Sequence, residues 1–306
     1  MSFIDMLSEN VRLPSAELKK YILTCPRRYK IYTIPKRNGE GVRTIAQPSA
    51  PVKSLQREAV RILEDYAPVH QSATAYRTGV SILDNAAVHS KNAFLLKMDF
   101  SDFFPSIHAL NVIQHLRQYC GFISDDDVIY LLSLIFRRRR SSDRFELSIG
   151  APSSPFISNT FMYSFDCALS KILADKNIAY TRYADDLSFS TTEKDALFSV
   201  PDIVKKQLDC NQYNVLKINH KKTIFSSKKH NRHVTGLVLS NDGRVTIGRD
   251  RKREIKTLVF LFTKGELDFE KKNYLKGLLA HAKHIEPLFW SKIKRKYGLS
   301  ENFFKQ

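Results

Sequence analysis

Hydrophobic and polar positions along the chain repeat with two periods, and the changes of period mark the elements. Ile178 and Tyr180 lead into Asp185-Asp186, and Leu187 and Phe189 lead out, alternating with Ser188 and Ser190. A period of two predicts a β-hairpin with one buried face and the carboxylate pair at its tip. Phe94-Leu-Leu-Lys-Met-Asp99 is an apolar run of strand length that ends in a carboxylate. Tyr29 to Lys36 alternates as a strand, Asn38-Gly39 has the chemistry of a two-residue turn, and Val42-Arg-Thr-Ile-Ala46 returns from it. Residues 215–219 read as a strand, and Asn241-Asp-Gly243 predicts a turn from residues 234–239 into residues 245–248.

Elsewhere the period is helical. Residues 1–24 read as helical, with Ser15 able to cap the face formed by Leu18, Tyr21 and Ile22, and Cys25-Pro26 ending it. Residues 53–66 carry Leu55, Ala59, Ile62, Leu63 and Tyr66 on one stripe. Ser106 is positioned to cap a helix with Ala109, Val112, Ile113 and Leu116 on one side. Residues 156–173 and 200–210 are predicted helices. Beyond Arg249, Ile255, Leu258, Val259 and Phe262 fall at i, i+3, i+4 and i+7, as do Leu275, Leu278, Leu279 and Ala282. The pattern predicts an α/β (α+β) protein with a helical C-terminal part.

Composition adds a partner class. The 306 residues are 43% hydrophobic, enough for a substantial core in two or three subdomains. Lysine and arginine number 49 against 31 acidic residues, a net charge of +18 that suits a polyanion, most simply nucleic acid. A basic membrane-surface protein is the competing reading. No apolar stretch approaches the ~20 residues that span a bilayer, and the first residues lack the pattern of a signal peptide. Cys25, Cys120, Cys167 and Cys210 are widely spaced, which reads as reduced thiols of a cytoplasmic protein without a zinc site. No internal repeat is evident.

The candidate chemistry lies in three carboxylates. An isolated Asp-Asp is ordinarily a solvated turn, and a lone Asp99 could be a cap. Taken together, aspartates on neighbouring strand ends can converge and hold two hard cations about 3.5–4 Å apart, as two-metal phosphoryl transfer requires. Asp102 falls past the strand end and is not expected to join them. Ile135-Phe-Arg-Arg-Arg-Arg140 follows an apolar helix. Its arginines, Arg137 and Arg138 among them, form either a solvated helix end or a phosphate-binding patch. Basic residues recur at Lys228, Lys229, Arg232 and, leading the C-terminal helices, at Arg249, Arg251, Lys252, Arg253 and Lys256. His281-x-x-His284 lacks a carboxylate or cysteine to complete a metal set and reads as a solvated helix pair.

Tyr183-Ala-Asp-Asp186, preceded about 85 residues earlier by Asp99-Phe-Ser-Asp-Phe-Phe-Pro-Ser106, resembles the catalytic core of reverse transcriptases. Asn85-Ala-Ala-Val-His89 and Val234-Thr235-Gly236 match two elements of the retron branch of that family. Gly150-Ala-Pro-Ser-Ser-Pro155 and Ile218-Asn-x-x-Lys221-Lys222-Thr223 are similar to it as well. The matches run from about residue 29 to residue 250, in the family's order.

The resemblance implies a right-hand polymerase with N-terminal helices and fingers (1–93), an antiparallel-sheet palm with helices on one face (94–248, with a basic helical insertion at about 120–145) and a helical thumb (249–306). It implies RNA-templated DNA synthesis, with Asp99, Asp185 and Asp186 holding two Mg²⁺ ions. Lys36 and Arg43, with Arg37 between them, would close over the triphosphate of a deoxynucleotide. Phe104 would bar a 2′-hydroxyl, although an ordinary core Phe is the alternative. Either Lys221 or Lys222 would meet the triphosphate, with Lys222 favoured. Asn159 is a candidate polar contact at the edge of the site, and His89 serves local architecture or touches RNA.

For retrons, the implied partners are a structured non-coding RNA primed at a guanosine 2′-OH, the branched msDNA product, and a separate effector protein in defence against phage. The sequence departs from the family pattern before Gly150, where Ser148 and Ile149 replace the usual Pro and Gln. Three alternatives are an intron or diversity-generating reverse transcriptase, a metal-dependent nuclease using the same carboxylates, and a non-catalytic RNA-binding protein on a polymerase scaffold.

Overall fold

The structure, a computed structural model, describes residues 1–36, 41–139, 144–209 and 213–299. Ser2 and Asp5 cap α1 (Phe3–Val11) reciprocally, and the helix ends where Arg12 turns left-handed at φ 54°. Pro14 then takes the N-cap position of α2 (Ser15–Ile22). The single helix expected over residues 1–24 is therefore two, and Ser15 opens the second rather than capping it. A 3₁₀ turn at Cys25–Arg27 leads into β1 (Tyr29–Pro35), which pairs antiparallel with β2 (Val42–Pro48) from Tyr29 opposite Pro48 to Pro35 opposite Val42. The Asn38-Gly39 turn and Arg37 fall outside the described residues.

Pro51 sits in the first turn of α3 (Ala50–Glu64), where a missing N–H costs nothing. A Ser81–Asp84 capping box opens α4 (Ile82–Ser90), and β3 (Phe94–Ser101) follows. The short α5 (Phe103–Ser106) consumes Ser106, so α6 (Ala109–Tyr119) takes His108 as its N-cap, without a side-chain bond. Ser124 and Asp127 cap α7 (Asp125–Ile135). Asp127 is buried and also accepts from the backbone of Phe3 and Ile4, tying α7 to α1. The arginine run then departs from expectation: helix ends at Ile135, and β4 (Arg137–Arg138) pairs with β5 (Phe145–Glu146). Glu146 is buried and pairs with Arg137, which therefore sits on a strand rather than at a helix end. Arg140 and Ser141-Ser142-Asp143 lie outside the described residues.

α8 (Ser154–Phe161) and α9 (Tyr163–Ala174) replace the continuous helix predicted for residues 156–173; Met162, with ψ near 0°, breaks it. β6 (Ala179–Tyr183) and β7 (Asp186–Thr191) form the carboxylate hairpin. They are followed by α10 (Val200–Leu208), the short β8 (Lys217–Ile218) and β9 (Ile224–Ser227). Cys210 is outside the described residues. β10 (Arg232–Val234), β11 (Leu237–Leu239) and β12 (Val245–Thr246) make a separate antiparallel sheet. The chain then enters α11 (Arg249–Thr263), α12 (Phe269–Ile285) and α13 (Pro287–Tyr297). Among the described residues, no helix is long and apolar enough to cross a membrane.

The main sheet runs β6-β7-β3, with β8 and β9 both paired to the far edge of β3. Leu96, Met98, Phe100, Leu187 and Phe189 turn into a core shared with α1–α3 and α6–α10. The opposite face is not the solvated one that the alternation suggested. α4 lies on it and buries His89 between Ser190 and Thr181, whose side chains bond both ring nitrogens at 2.7 Å. Period two marks which residues share a face; what covers that face is a tertiary matter. Ala86 of α4 and Leu95 of β3 belong to a second core with β10–β12 and α11–α13. Arg232, one of the basic run noted in the sequence, is fully buried in this region and donates to the carbonyls of Asn92, Leu239 and Ser240.

Candidate active site

Strand register sets the site. β3 runs antiparallel to β7 so that Asp99 stands directly opposite Asp186, and Asp186 also pairs with Tyr183 across the hairpin. Ala184 and Asp185 form the turn, with Ala184 at φ 58°. The Asp185 carbonyl accepts from Phe100 N at 3.1 Å, which ties the turn to β3 beside Asp99. A non-glycine residue in left-handed backbone costs about 1–2 kcal/mol, and here Arg182 holds the turn. Its Nη1 donates to the Ala184 carbonyl at 3.2 Å and to Asn159 Oδ1 at 3.1 Å. Its Nη2 reaches Asp166 Oδ2 at 2.6 Å, and Tyr180 donates to Asp166 Oδ1 at 2.8 Å. Arg182 and Asp166 are completely buried, so this is a charge pair with its bonds satisfied inside the core beneath the main sheet. Asn159 belongs to this support, because it is buried and donates to the Ala75 carbonyl.

The carboxylates share little compensating charge. Asp99 is 4% exposed and accepts from Lys222 Nζ at 2.8 Å and Asn219 Nδ2 at 3.2 Å. Burial raises the pKa of Asp185, and the Asp99 charge adds to it. Desolvation of its carboxyl within the site, with the charges of Asp185 and Asp99, pushes Asp186 up to about 6, while the residue as a whole keeps an exposed edge. For Lys222, burial acts downward, but the bond to Asp99 and the charges of all three carboxylates outweigh it and hold the ammonium above the ordinary lysine range. Mutually raised carboxylates signal a surplus of negative charge that a cation would relieve.

Among the described residues, no three His, Cys, Asp or Glu side chains enclose a cation as they stand; Asp99 is turned to Lys222. The donor set nonetheless fits Mg²⁺. That ion binds through one or two carboxylates plus waters and substrate phosphates rather than inside an all-protein cage.

The other expected residues fall into groups. Arg43 is exposed on β2, and its charge offsets a small part of the upward shift that burial and neighbouring negative charge impose on Asp185 and Tyr76. Lys36 is exposed at the end of the same hairpin. Phe104 is half-buried against Phe103, with ring centroids 5.5 Å apart. Lys222, rather than Lys221, carries the contact to the carboxylates. Ile149 uses its carbonyl to accept from Ala46 N at 2.9 Å, and Gly150 lies so close to β2 that a Cβ would stand 3.2 Å from the Ala46 carbonyl. The departure from Gln at position 149 thus leaves the backbone joint to the β1–β2 hairpin in place.

The two retron elements meet: Asn85 Nδ2 donates to Thr235 Oγ1 at 3.4 Å, and Thr74 donates to Asn85 Oδ1 at 3.0 Å. Val234 is buried and Gly236 exposed. His89 is fully buried.

Lys228, Lys229, Arg249 and Arg253 are exposed. Arg251 is held by Glu254 and Tyr274, and Lys252 is tied to Glu286 at 2.5 Å over the Phe289 ring. Sequence reasoning missed Arg182, Asp166 and Tyr76, whose ring lies 6.4 Å from that of Tyr183. The one available sign was a charged residue, Arg182, inside an apolar strand.

Residues 34–239 match the family model described as reverse transcriptase (RNA-dependent DNA polymerase). The chain is 44% identical to the retron Ec83 reverse transcriptase of Escherichia coli, covering 89% of this chain and 88% of that one. It is 35% identical to the retron Ec73 reverse transcriptase of the same organism, over 90% and 89% of the two chains. It is 30% identical to the retron Ec86 enzyme, also of E. coli, over 97% and 91%. Among solved structures, telomerase from Candida tropicalis matches with a TM-score of 0.51 at 13% identity, over 87% of this chain and 58% of that one. Telomerase from Candida albicans in complex with a telomeric RNA fragment matches at 0.50 and 12%, over 93% and 59%. At such identity the likeness concerns the fold alone.

Proposed function

Because the chain belongs to the retron reverse transcriptases, a family of RNA-directed DNA polymerases, we propose that it copies a structured non-coding RNA at Asp99, Asp185 and Asp186, starting from a guanosine 2′-OH and yielding branched msDNA. The observation that carries this assignment is the β3–β7 register, which sets Asp99 opposite Asp186 with Asp185 in the adjoining turn. Two Mg²⁺ ions bound by these carboxylates would supply Lewis-acid activation of the priming hydroxyl and charge neutralisation at the triphosphate.

The remaining roles belong to this chain's own residues. Lys222 holds Asp99 when no nucleotide is bound and moves to the triphosphate when one is, neutralising the leaving pyrophosphate. Arg43, aided by Lys36, closes over the same phosphates. Phe104 excludes a 2′-hydroxyl and so selects deoxynucleotides. Lys228, Lys229, Arg249 and Arg253 grip the nucleic-acid backbone, whereas Arg251 and Lys252 must first leave their acidic partners to do so. We assign residues 1–93 to fingers, 94–248 to palm and 249–306 to thumb, with β10–β12 packing on the thumb helices. A separate effector protein in phage defence completes the system.

The test is expression with native flanking DNA, followed by extraction of small nucleic acids from wild type and Asp185→Ala. We expect a discrete short DNA joined to RNA, sensitive to RNase and debranching and absent from the variant. Extension of an added primer without any such species would keep the polymerase and refute the retron substrate. Neither product would refute both.

A further inference from the structure

The arginines that follow α7 do not lie on a flat surface. Arg137, Arg138 and Arg139 wall one side of a cavity of about 290 Å³, and Arg27, Tyr29 and Ile31 wall the other. It opens between the Cys25–Arg27 turn and β4, and none of the three carboxylates lines it. Buried Glu146 pairs with Arg137 and lies 3.9 Å from Arg139, one negative charge facing two guanidiniums. Arg27 is exposed and makes no ion pair among the described residues. Arg137 Nε is buried without a partner among them. The Tyr29 hydroxyl accepts from Gln56 Nε2 at 3.0 Å, which leaves its own proton to donate. Burial pushes this phenol up to about 12, so the proton is present at every physiological pH. Cations gathered around one concavity repel each other, and more strongly where protein displaces water. An anion relieves that repulsion.

We propose that this cavity is a phosphate subsite, distinct from the nucleotide site at the aspartates. Guanidiniums present paired N–H donors that match phosphate oxygens, and Glu146 fixes the Arg137 fork in place before any ligand arrives. The volume is near the lower end of small-ligand cavities, about 300 Å³, which suits a phosphate with its sugar. The Tyr29 ring and Ile31 provide an apolar wall for that sugar. The phosphate comes either from a nucleic-acid strand or from a free phosphate species. Only the strand source rests on the proposed copying of RNA.

The test compares wild type, Arg27→Gln/Arg139→Gln, and Lys20→Gln as an exposed charge control. Affinity for a short labelled single-stranded RNA is measured across a salt series without dNTPs or Mg²⁺. In parallel, the ³¹P line width of inorganic phosphate is followed on adding protein. For a strand phosphate, the slope of log affinity against log salt flattens by about 0.7 for each phosphate no longer neutralised, in the double variant only. For a free species, the slope is unchanged, and the line broadening seen with wild type disappears in the double variant. Equal flattening in Lys20→Gln, or no difference between wild type and double variant in either measurement, overturns the subsite. Primer extension by wild type is assayed separately, so failure of the polymerase reading would show there and leave the binding slopes untouched.

Discussion

The turn that carries Asp185 is held by Arg182, a residue that carries no motif signal. Its guanidinium spans Asp166, Asn159 and the Ala184 carbonyl inside the protein core. Removing one partner of a buried ion pair strands the other charge, so Arg182→Ala should lose roughly 3–5 kcal/mol in urea unfolding. Tyr180→Phe deletes one bond to Asp166 and should cost only about 1 kcal/mol. The three site aspartates were legible because Tyr-x-Asp-Asp and the strand-terminal Asp99 are local patterns. Arg182 was not, because its partner Asp166 lies on α9 and their meeting depends on how that helix crosses the sheet. The burial of Arg232 was not legible for a related reason: a run of basic residues gives no sign of which member backbone carbonyls draw into the core.

Among the elements, the junction between the small β10–β12 sheet and helices α11–α13 rests on one residue. Gly248 has φ 85° and ψ 160°, a region open essentially to glycine alone, and a Cβ there would stand 2.9 Å from Val238 Cγ2. Gly248→Ala should therefore cost about 1–3 kcal/mol, with faster amide exchange in α11–α13 as the local readout and little change in β3 and β7. Element types were mostly visible in the periodicity. The boundaries that moved did so for nameable reasons, such as Pro14 and Pro51 starting helices, Met162 breaking one, and β5 capturing arginines that a helix was expected to carry. The α13 helix escaped notice, although Phe289, Trp290 and Ile293 close the second core.

For the whole molecule, two buried neutral histidines make stability depend on pH. Burial holds His89 and His115 down to about 4, against an ordinary 6.5. The unfolded chain takes up these protons first, so stability falls as pH drops from 6.5 towards 4 and is recovered above that window. Each contributes roughly 1.4 kcal/mol per pH unit there. Asp186, raised to about 6, acts in the opposite sense, because its folded form keeps a proton that the unfolded chain has released. His115→Leu should remove one histidine's share, making the stability-against-pH slope from urea midpoints shallower by about 1.4 kcal/mol per unit between pH 4 and 6.5. The sequence by itself determined the family, the positions of the candidate carboxylates, the basic character and most element types, since these rest on local chemistry and on periodicity of 2 or 3.6 residues. Only the tertiary structure decided which lysine meets Asp99, that α4 covers the second face of the sheet, that Arg182 is core rather than surface, and that four arginines share one cavity. Each of those depends on residues far apart in the chain, whose approach is fixed by packing and strand register.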